Sequence, residues 1–174
     1  SQSKLIDDII FAIPKSKENL KLKKYIEDKI NCKIFLGSEN NVLERYYLAA
    51  KKFKSDIIVR ITADCPIVDY SIIESYITIL KTEKLDYVYN CSPHTYPDGL
   101  DVEVFTFKAI KNAYLNAENE YQKEHVTTFF RDNIKKYKTR HIKCPIKNIS
   151  NLRMTLDVSS DLKIIRNIYK SFYP

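Results

Sequence analysis

Short apolar, β-branched runs alternate along this chain with longer stretches whose apolar residues recur at helical spacing. The first pattern belongs to strands and the second to amphipathic helices, so the order predicts an α/β domain. Asp7–Pro14 (DDIIFAIP) reads as a strand stopped by proline. A helix follows over Asn19–Ile30, with Leu20, Leu22, Tyr25, Ile26 and Ile30 as its apolar side. The rhythm continues with a strand at Cys32–Gly37, a helix at Asn41–Phe53 begun by Ser38 and Asn41 as caps, a strand at Asp56–Thr62 and a helix at Ser71–Thr82 capped by Asp69. Repeated strand-helix-strand units make right-handed crossovers and a mainly parallel sheet, with ligands bound beyond the carboxyl ends of the strands.

Beyond the apolar run Leu85–Asn90 the pattern changes. Tyr96–Phe107 (YPDGLDVEVFTF) holds a Pro-Asp-Gly turn and then alternating Val102, Val104 and Thr106, which predicts a loop and a strand able to run antiparallel to the rest. Helices over Lys108–Ala117 and Gln122–Tyr137, a strand at Thr139–Pro145, a strand at Leu152–Val158 and a helix over Ser160–Tyr169 complete the reading.

Composition narrows the class. A chain of 174 residues with 44% hydrophobic and 29% charged residues fits a single soluble domain over 1–174. It has no apolar run of membrane-spanning length and no signal-peptide pattern at its start, which leads to the expectation of a cytoplasmic protein with no membrane partner. The net charge of +7 invites a nucleic-acid partner, but the lysines are dispersed among acids on helix faces, without a clustered patch interleaved with aromatics. A phosphate-rich small molecule suits that charge as well. The four cysteines have no C-x-x-C spacing and read as free thiols, and Asp64 beside Cys65 disfavours its thiolate. With Gly37 and Gly99 the only glycines, neither a G-x-G-x-x-G turn nor a Walker loop is possible.

Two acids stand out. Asp64 and Asp157 each follow an apolar run and lie two residues after a threonine, in RITAD and RMTLD. Carboxylates at neighbouring strand ends suit magnesium, which takes oxygen ligands and shares them with substrate phosphates. Both also suit turn or helix-capping positions. Asp161 and Ser159 or Ser160 are better placed to cap the last helix, which leaves Asp157 for other work.

Four motifs in order, VRITADCPIVD, YPDGLDVEVF, EHVTTFFR and LRMTLDVSSDL, resemble the cytidylyltransferase family of spore-coat polysaccharide biosynthesis protein F. They are more distantly similar to acylneuraminate and 3-deoxy-manno-octulosonate cytidylyltransferases. The resemblance runs from about Lys4 to Tyr173. It implies a Rossmann-like, nucleotide-diphospho-sugar transferase (glycosyltransferase-A-like) fold. The implied reaction is transfer of CMP from CTP to an acidic or related sugar, with release of pyrophosphate, in surface glycan synthesis. By the motif match Asp64 and Asp157 would hold Mg2+, with Arg60 orienting one of them. Tyr96, Asp98, Asp101 and Glu103 are candidates for sugar hydroxyl contacts, Asp101 foremost. His125 and Arg131 are candidates for the sugar acid or a phosphate, and Arg45 for a nucleotide phosphate. A homodimer joined near YPDGLDVEVF is implied by analogy.

Family members open with a strand and a Gly-containing loop that wraps the CTP triphosphate, and the strand Asp7–Pro14 corresponds to their second strand. The expectation is therefore an N-terminally truncated form of the fold that binds CTP poorly. A non-catalytic sugar- or nucleotide-binding or assembly module is the alternative.

Overall fold

The computed structural model describes residues 3–30 and 32–172; the extremes of the expected 1–174 domain, Tyr173 included, lie outside the described residues. The strands are β1 (Ile10–Pro14), β2 (Lys33–Gly37), β3 (Ile57–Arg60), β4 (Tyr87–Tyr89), β5 (Glu103–Thr106) and β6 (Thr139–His141). The helices are α1 (Asn19–Lys29), α2 (Val42–Lys52), α3 (Tyr70–Thr82), α4 (Phe107–Asn116), α5 (Glu120–Glu124), α6 (Thr128–Asp132) and α7 (Ser159–Phe172). β1 and β2 form a two-stranded sheet, and the other four strands form a sheet in the order β3-β5-β4-β6. The pairs β1–β2 and β4–β6 are parallel, within an architecture that is mixed overall.

The chain divides into two compact units, with boundaries inside β3 and β5. The first takes in the residues up to Ile58 and Phe105–Lys138. Here β1 and β2 run in register from Ile10 opposite Lys33 to Pro14 opposite Gly37. Helix α2 starts where the sequence places its cap: Asn41 Oδ1 accepts the Glu44 N–H at 2.9 Å, and Ser38 Oγ accepts that of Asn41 at 3.0 Å. Its buried face, Leu43, Tyr47, Ala49 and Ala50, packs on the strands and on α4. The Tyr47 ring stacks on Tyr114 with centroids 4.4 Å apart.

Two expectations in this unit are corrected. Of the apolar side expected for α1, only Ile26 is buried, while Leu20 and Tyr25 are 56% and 60% exposed. Leu20 and Leu22 stand two residues apart, a spacing that puts them on different helix faces. The single helix expected over Gln122–Tyr137 is α5, α6 and a short 3-10 turn at Ile134–Lys136, interrupted at His125–Thr127. Val126 sits in the break at φ 39°, fully buried. A β-branched residue adopts that conformation only where its surroundings enforce it, and the run Val126-Thr127-Thr128 is a poor helix former to begin with.

The second unit comprises Val59–Val104 and the residues from Thr139 onward. Asp69 caps α3 as expected, its Oδ1 accepting the Ser71 N–H at 2.7 Å. Tyr76, Ile77 and Leu80 of α3 are buried, as are all three residues of β4. Leu152–Val158, expected as a strand, forms none. Its backbone bonds go to two loops: Asp98 N–H donates to Leu152 (3.0 Å), Met154 N–H to Asp98 (2.7 Å) and Leu156 N–H to Asp64 (2.8 Å). The segment is extended but serves as a strap across loop ends.

Candidate functional site

The second unit holds seven of the expected site residues: Arg60, Asp64, Tyr96, Asp98, Asp101, Glu103 and Asp157. Its organising contact is the last of those strap bonds. Because Leu156 donates to the carbonyl of Asp64, the next residue, Asp157, is brought to the loop that leaves β3. Two acids 93 positions apart by number (157 minus 64) thus share one neighbourhood. Asp64 is half-buried. Cys65, behind it, lies 3.2 Å from Thr62 Oγ1 and 3.7 Å from Asp64 Oδ1. Burial, with some help from the Asp64 and Asp101 charges, pushes its thiol up to about 11. It is no nucleophile at neutral pH.

Asp157 is gripped at one oxygen. Its Oδ2 accepts from Arg153 Nη1 at 2.7 Å and from Thr155 Oγ1 at 2.5 Å. Capping of α7 falls to Asp161, whose Oδ2 accepts the N–H groups of Asp157 (2.9 Å) and Val158 (3.0 Å). The backbone bonds of Val158 and Asp157, then Arg153, hold the Asp161 carboxyl below the usual carboxylate range. The sequence places Asp161 with Ser159 or Ser160 at the N-cap; all three lie inside α7, and Asp161 acts from its third position by reaching back to the N–H groups that precede the helix.

The turn Pro97-Asp98-Gly99-Leu100 is closed by Leu100 N–H to Pro97 carbonyl at 3.1 Å. Gly99 takes φ 99°, and a Cβ there would lie 2.6 Å from the Met154 carbonyl carbon. Only glycine satisfies both demands. Asn90 pins the base of this loop: its side-chain nitrogen donates to Leu100 carbonyl and its oxygen accepts the Val102 N–H, each at 2.9 Å. The loop presents Asp101, half-buried, with Oδ1 3.6 Å from His94 Nδ1. Burial raises the Asp101 carboxyl; Asp98 and Glu103 add to the effect, while His94 and Arg60 oppose it. Asp98 is exposed, and Tyr96 is half-buried near the Tyr76 hydroxyl.

Glu103 has a different occupation from the one expected. β5 is paired on both edges, between β3 and β4, and its successive residues Glu103, Val104 and Phe105, which point to alternate faces, are all buried, Glu103 at 2% exposed. It accepts from Arg60 Nη1 at 2.5 Å and from the Tyr87 hydroxyl. The carboxylate is a buried brace with no face for a sugar. Arg60, expected to orient Asp64 or Asp157, has its ion-pair partner in Glu103.

Arg45, His125 and Arg131 belong to the first unit. Arg45 Nη1 donates to its own segment's Ser38 carbonyl at 2.6 Å, and burial lowers the pKa of its guanidinium. His125 lies edge-on to Tyr121, with centroids 4.4 Å apart. Arg131 binds the hydroxyls of Thr127 and Thr128, each at 3.1 Å. Sequence reasoning passed over Arg153, whose only early signal is its spacing of four from Asp157. It also gave no reason to single out His94 or Asn90.

Oxygen donors define the chemistry that Asp64 and Asp157 can offer. Among the described residues no group of three or more His, Cys, Asp or Glu side chains is placed to hold a metal. A two-carboxylate set still fits magnesium, which commonly completes its shell with water and phosphate oxygens.

A family model described as Cytidylyltransferase matches residues 1–170. Uncharacterized protein MJ1063 of Methanocaldococcus jannaschii is 35% identical over 173 residues, 98% of this chain and 69% of that protein. Spore coat polysaccharide biosynthesis protein SpsF of Bacillus subtilis is 26% identical over 140 residues, 79% of this chain and 57% of that protein. Among solved structures, a cytidylyltransferase from Leptospira borgpetersenii superposes with a TM-score of 0.91 at 24% identity, covering 99% of this chain and 73% of that one. The 4-diphosphocytidyl-2C-methyl-D-erythritolsynthase of Anaerococcus prevotii superposes at 0.61 with 17% identity, covering 95% and 82%. These superpositions establish an α/β fold of the nucleotide-diphospho-sugar transferase type. On the family match and the relative at 35% identity, the chain belongs to the cytidylyltransferase family.

Proposed function

We propose that the chain carries the catalytic acids of a CTP-using transferase that moves CMP onto a hydroxyl of an acidic or related sugar in surface glycan synthesis. The observation behind this reading is the Leu156-to-Asp64 bond, which sets Asp157 beside the Asp64 loop. In the reaction the sugar oxygen bonds to the α-phosphorus of CTP, the bond from that phosphorus to the bridging oxygen breaks, and pyrophosphate leaves. Asp64 and Asp157 would hold Mg2+, which when bound supplies positive charge against the triphosphate. Asp101 is the group for the sugar hydroxyl: half-buried, with a raised pKa and His94 beside it, it is suited to accept a hydrogen bond or proton from the attacking oxygen.

Gly99 is committed to its turn, and a Cβ at Gly37 would lie 2.8 Å from the Arg45 side chain, so neither glycine is free to wrap a triphosphate. These 174 residues alone should therefore bind CTP weakly and turn over little. The second reading is a non-catalytic binding or assembly module of the same fold. A cytoplasmic homodimer belongs to the first reading as an expectation, and sedimentation measures its oligomeric part. Among the described residues no helix is long and apolar enough to cross a membrane.

The test is calorimetric titration of CTP with magnesium into the chain and into Asp64→Ala. Saturable binding that Asp64→Ala weakens supports the transferase site. Binding that is indifferent to Asp64, or absent from both proteins, turns the assignment toward the non-catalytic module.

A further inference from the structure

Arg153 poses a problem for any cation at Asp157. A guanidinium 2.7 Å from a carboxylate competes for its charge. The structure contains the remedy. Asp161, 5% exposed, takes both terminal nitrogens of Arg153: Nη2 donates to Oδ1 at 2.7 Å and Nη1 to Oδ2 at 3.1 Å. A two-pronged pair of this kind fixes a guanidinium in direction as well as in charge. Only Nη1 then reaches Asp157, and it lands on the oxygen that Thr155 also holds. The bonds that fix the carboxylate therefore converge on Oδ2.

We propose that Asp161 is a positioning residue for the cation site. By clamping Arg153 it confines that arginine to one bond, at the Asp157 oxygen that Thr155 fixes with or without it, and it leaves the Asp157 charge and Oδ1 for a divalent ion. Charge counting supports the assignment: Arg153 and Asp161 cancel each other, so Asp157 keeps its own negative charge. Remove the Asp161 charge, and Arg153 is released to neutralise Asp157. This inference rests on the reading of Asp64 and Asp157 as cation ligands.

The probe is Mn2+, titrated into the 174-residue chain and followed by the paramagnetic resonance signal of the free ion, which needs no turnover. Asp64→Ala serves as the ligand-loss control. Asp161→Asn should weaken Mn2+ binding roughly ten-fold or more, the usual consequence of losing a residue that orients a ligand. Adding Arg153→Gln to Asp161→Asn should bring affinity back to within about three-fold of the parent, because the released competitor is gone. A role confined to capping α7 would not produce that rescue. Thermal melts and far-ultraviolet dichroism check folding. If Asp161→Asn does not fold, Arg153→Lys takes its place: lysine cannot fork, so it is free to neutralise Asp157 and should also weaken Mn2+ binding, whereas Arg153→Gln should not. A folded Asp161→Asn that binds as the parent does, a double variant no better than Asp161→Asn, or a folded Arg153→Lys equal to Arg153→Gln overturns the inference alone. A parent chain that takes up no Mn2+ overturns the cation reading, and the inference with it.

Discussion

The second unit contains two arginine–carboxylate systems that differ in where they stand. Arg60, Glu103 and Tyr87 meet across three neighbouring strands, β3, β5 and β4, with Glu103 almost wholly out of water. Arg153, Thr155, Asp157 and Asp161 meet on a strap at the surface, where the side chains of Arg153 and Asp157 are about half exposed. In the first, every contact serves to keep a buried charge satisfied. In the second, one acid is fully used while the other keeps an oxygen in reserve. The same ion-pair chemistry thus holds a sheet together in one place and prepares a ligand in the other, and burial decides which.

The largest expected effect tests the buried system. Glu103→Ala removes the buried carboxylate that both Arg60 and the Tyr87 hydroxyl bond, a loss of about 3–5 kcal/mol in stability, to be read from urea denaturation. A loss under about 1 kcal/mol would mean that water reaches the pair, and the contrast would collapse. Next in size is Gly99→Ala, which forces a side chain into positive φ and onto the Met154 backbone. A cost of about 1–3 kcal/mol is expected, with weaker Mn2+ uptake, because the same approach anchors the strap that carries Asp157.

Asp101 lies on the loop that leads into β5, within reach of the charges of Glu103 and Arg60, and the sign of its pH effect follows from its burial. Its carboxyl is raised by burial, so between the unfolded and folded pKa values the native state holds more protons, and stability falls as pH rises through that window. Asp101→Asn removes the penalty. It should be more stable than the parent at neutral pH, and the gain should vanish in acid once the parent carboxyl is protonated in both states. A gain that persists unchanged into acid would refute the burial argument. The smallest change in stability is expected of Arg153→Ala, since Arg153 and Asp157 are about half exposed and Asp161 keeps the N–H bonds of Asp157 and Val158 when the guanidinium is gone. A loss matching that of Glu103→Ala would show that the surface system is structural too.

How far the sequence reveals all this depends on the distance over which each contact acts. The caps Asn41 and Asp69 and the helices they open are legible because a cap and its target lie within three residues. Asp64 and Asp157 were legible as a pair through the repeated Thr-x-Asp pattern. Arg60 with Glu103 was not, since 43 residues separate them and their meeting depends on β5 being inserted beside β3. Apolar spacing misled at α1, where Leu20 faces water, and helical spacing misled at Glu124–Arg131, where a buried Val126 breaks the turn. The clamp of Asp161 on Arg153 spans eight residues around a bend in the chain, out of reach of any periodicity.

Asn90 has one further consequence. Its carboxamide bonds both Leu100 and Val102, so the loop between positions 91 and 99 leaves and re-enters the sheet through a closed latch. Beyond the latch the loop keeps contacts of its own: Tyr96 lies near the buried Tyr76 hydroxyl, and Thr95 Oγ1 accepts the Cys144 N–H at 2.9 Å. The latch thus ties both ends of the loop to the sheet, so that changes at its exposed positions, Pro93, His94 and Asp98, leave the register beneath untouched as long as the asparagine and the glycine turn are kept.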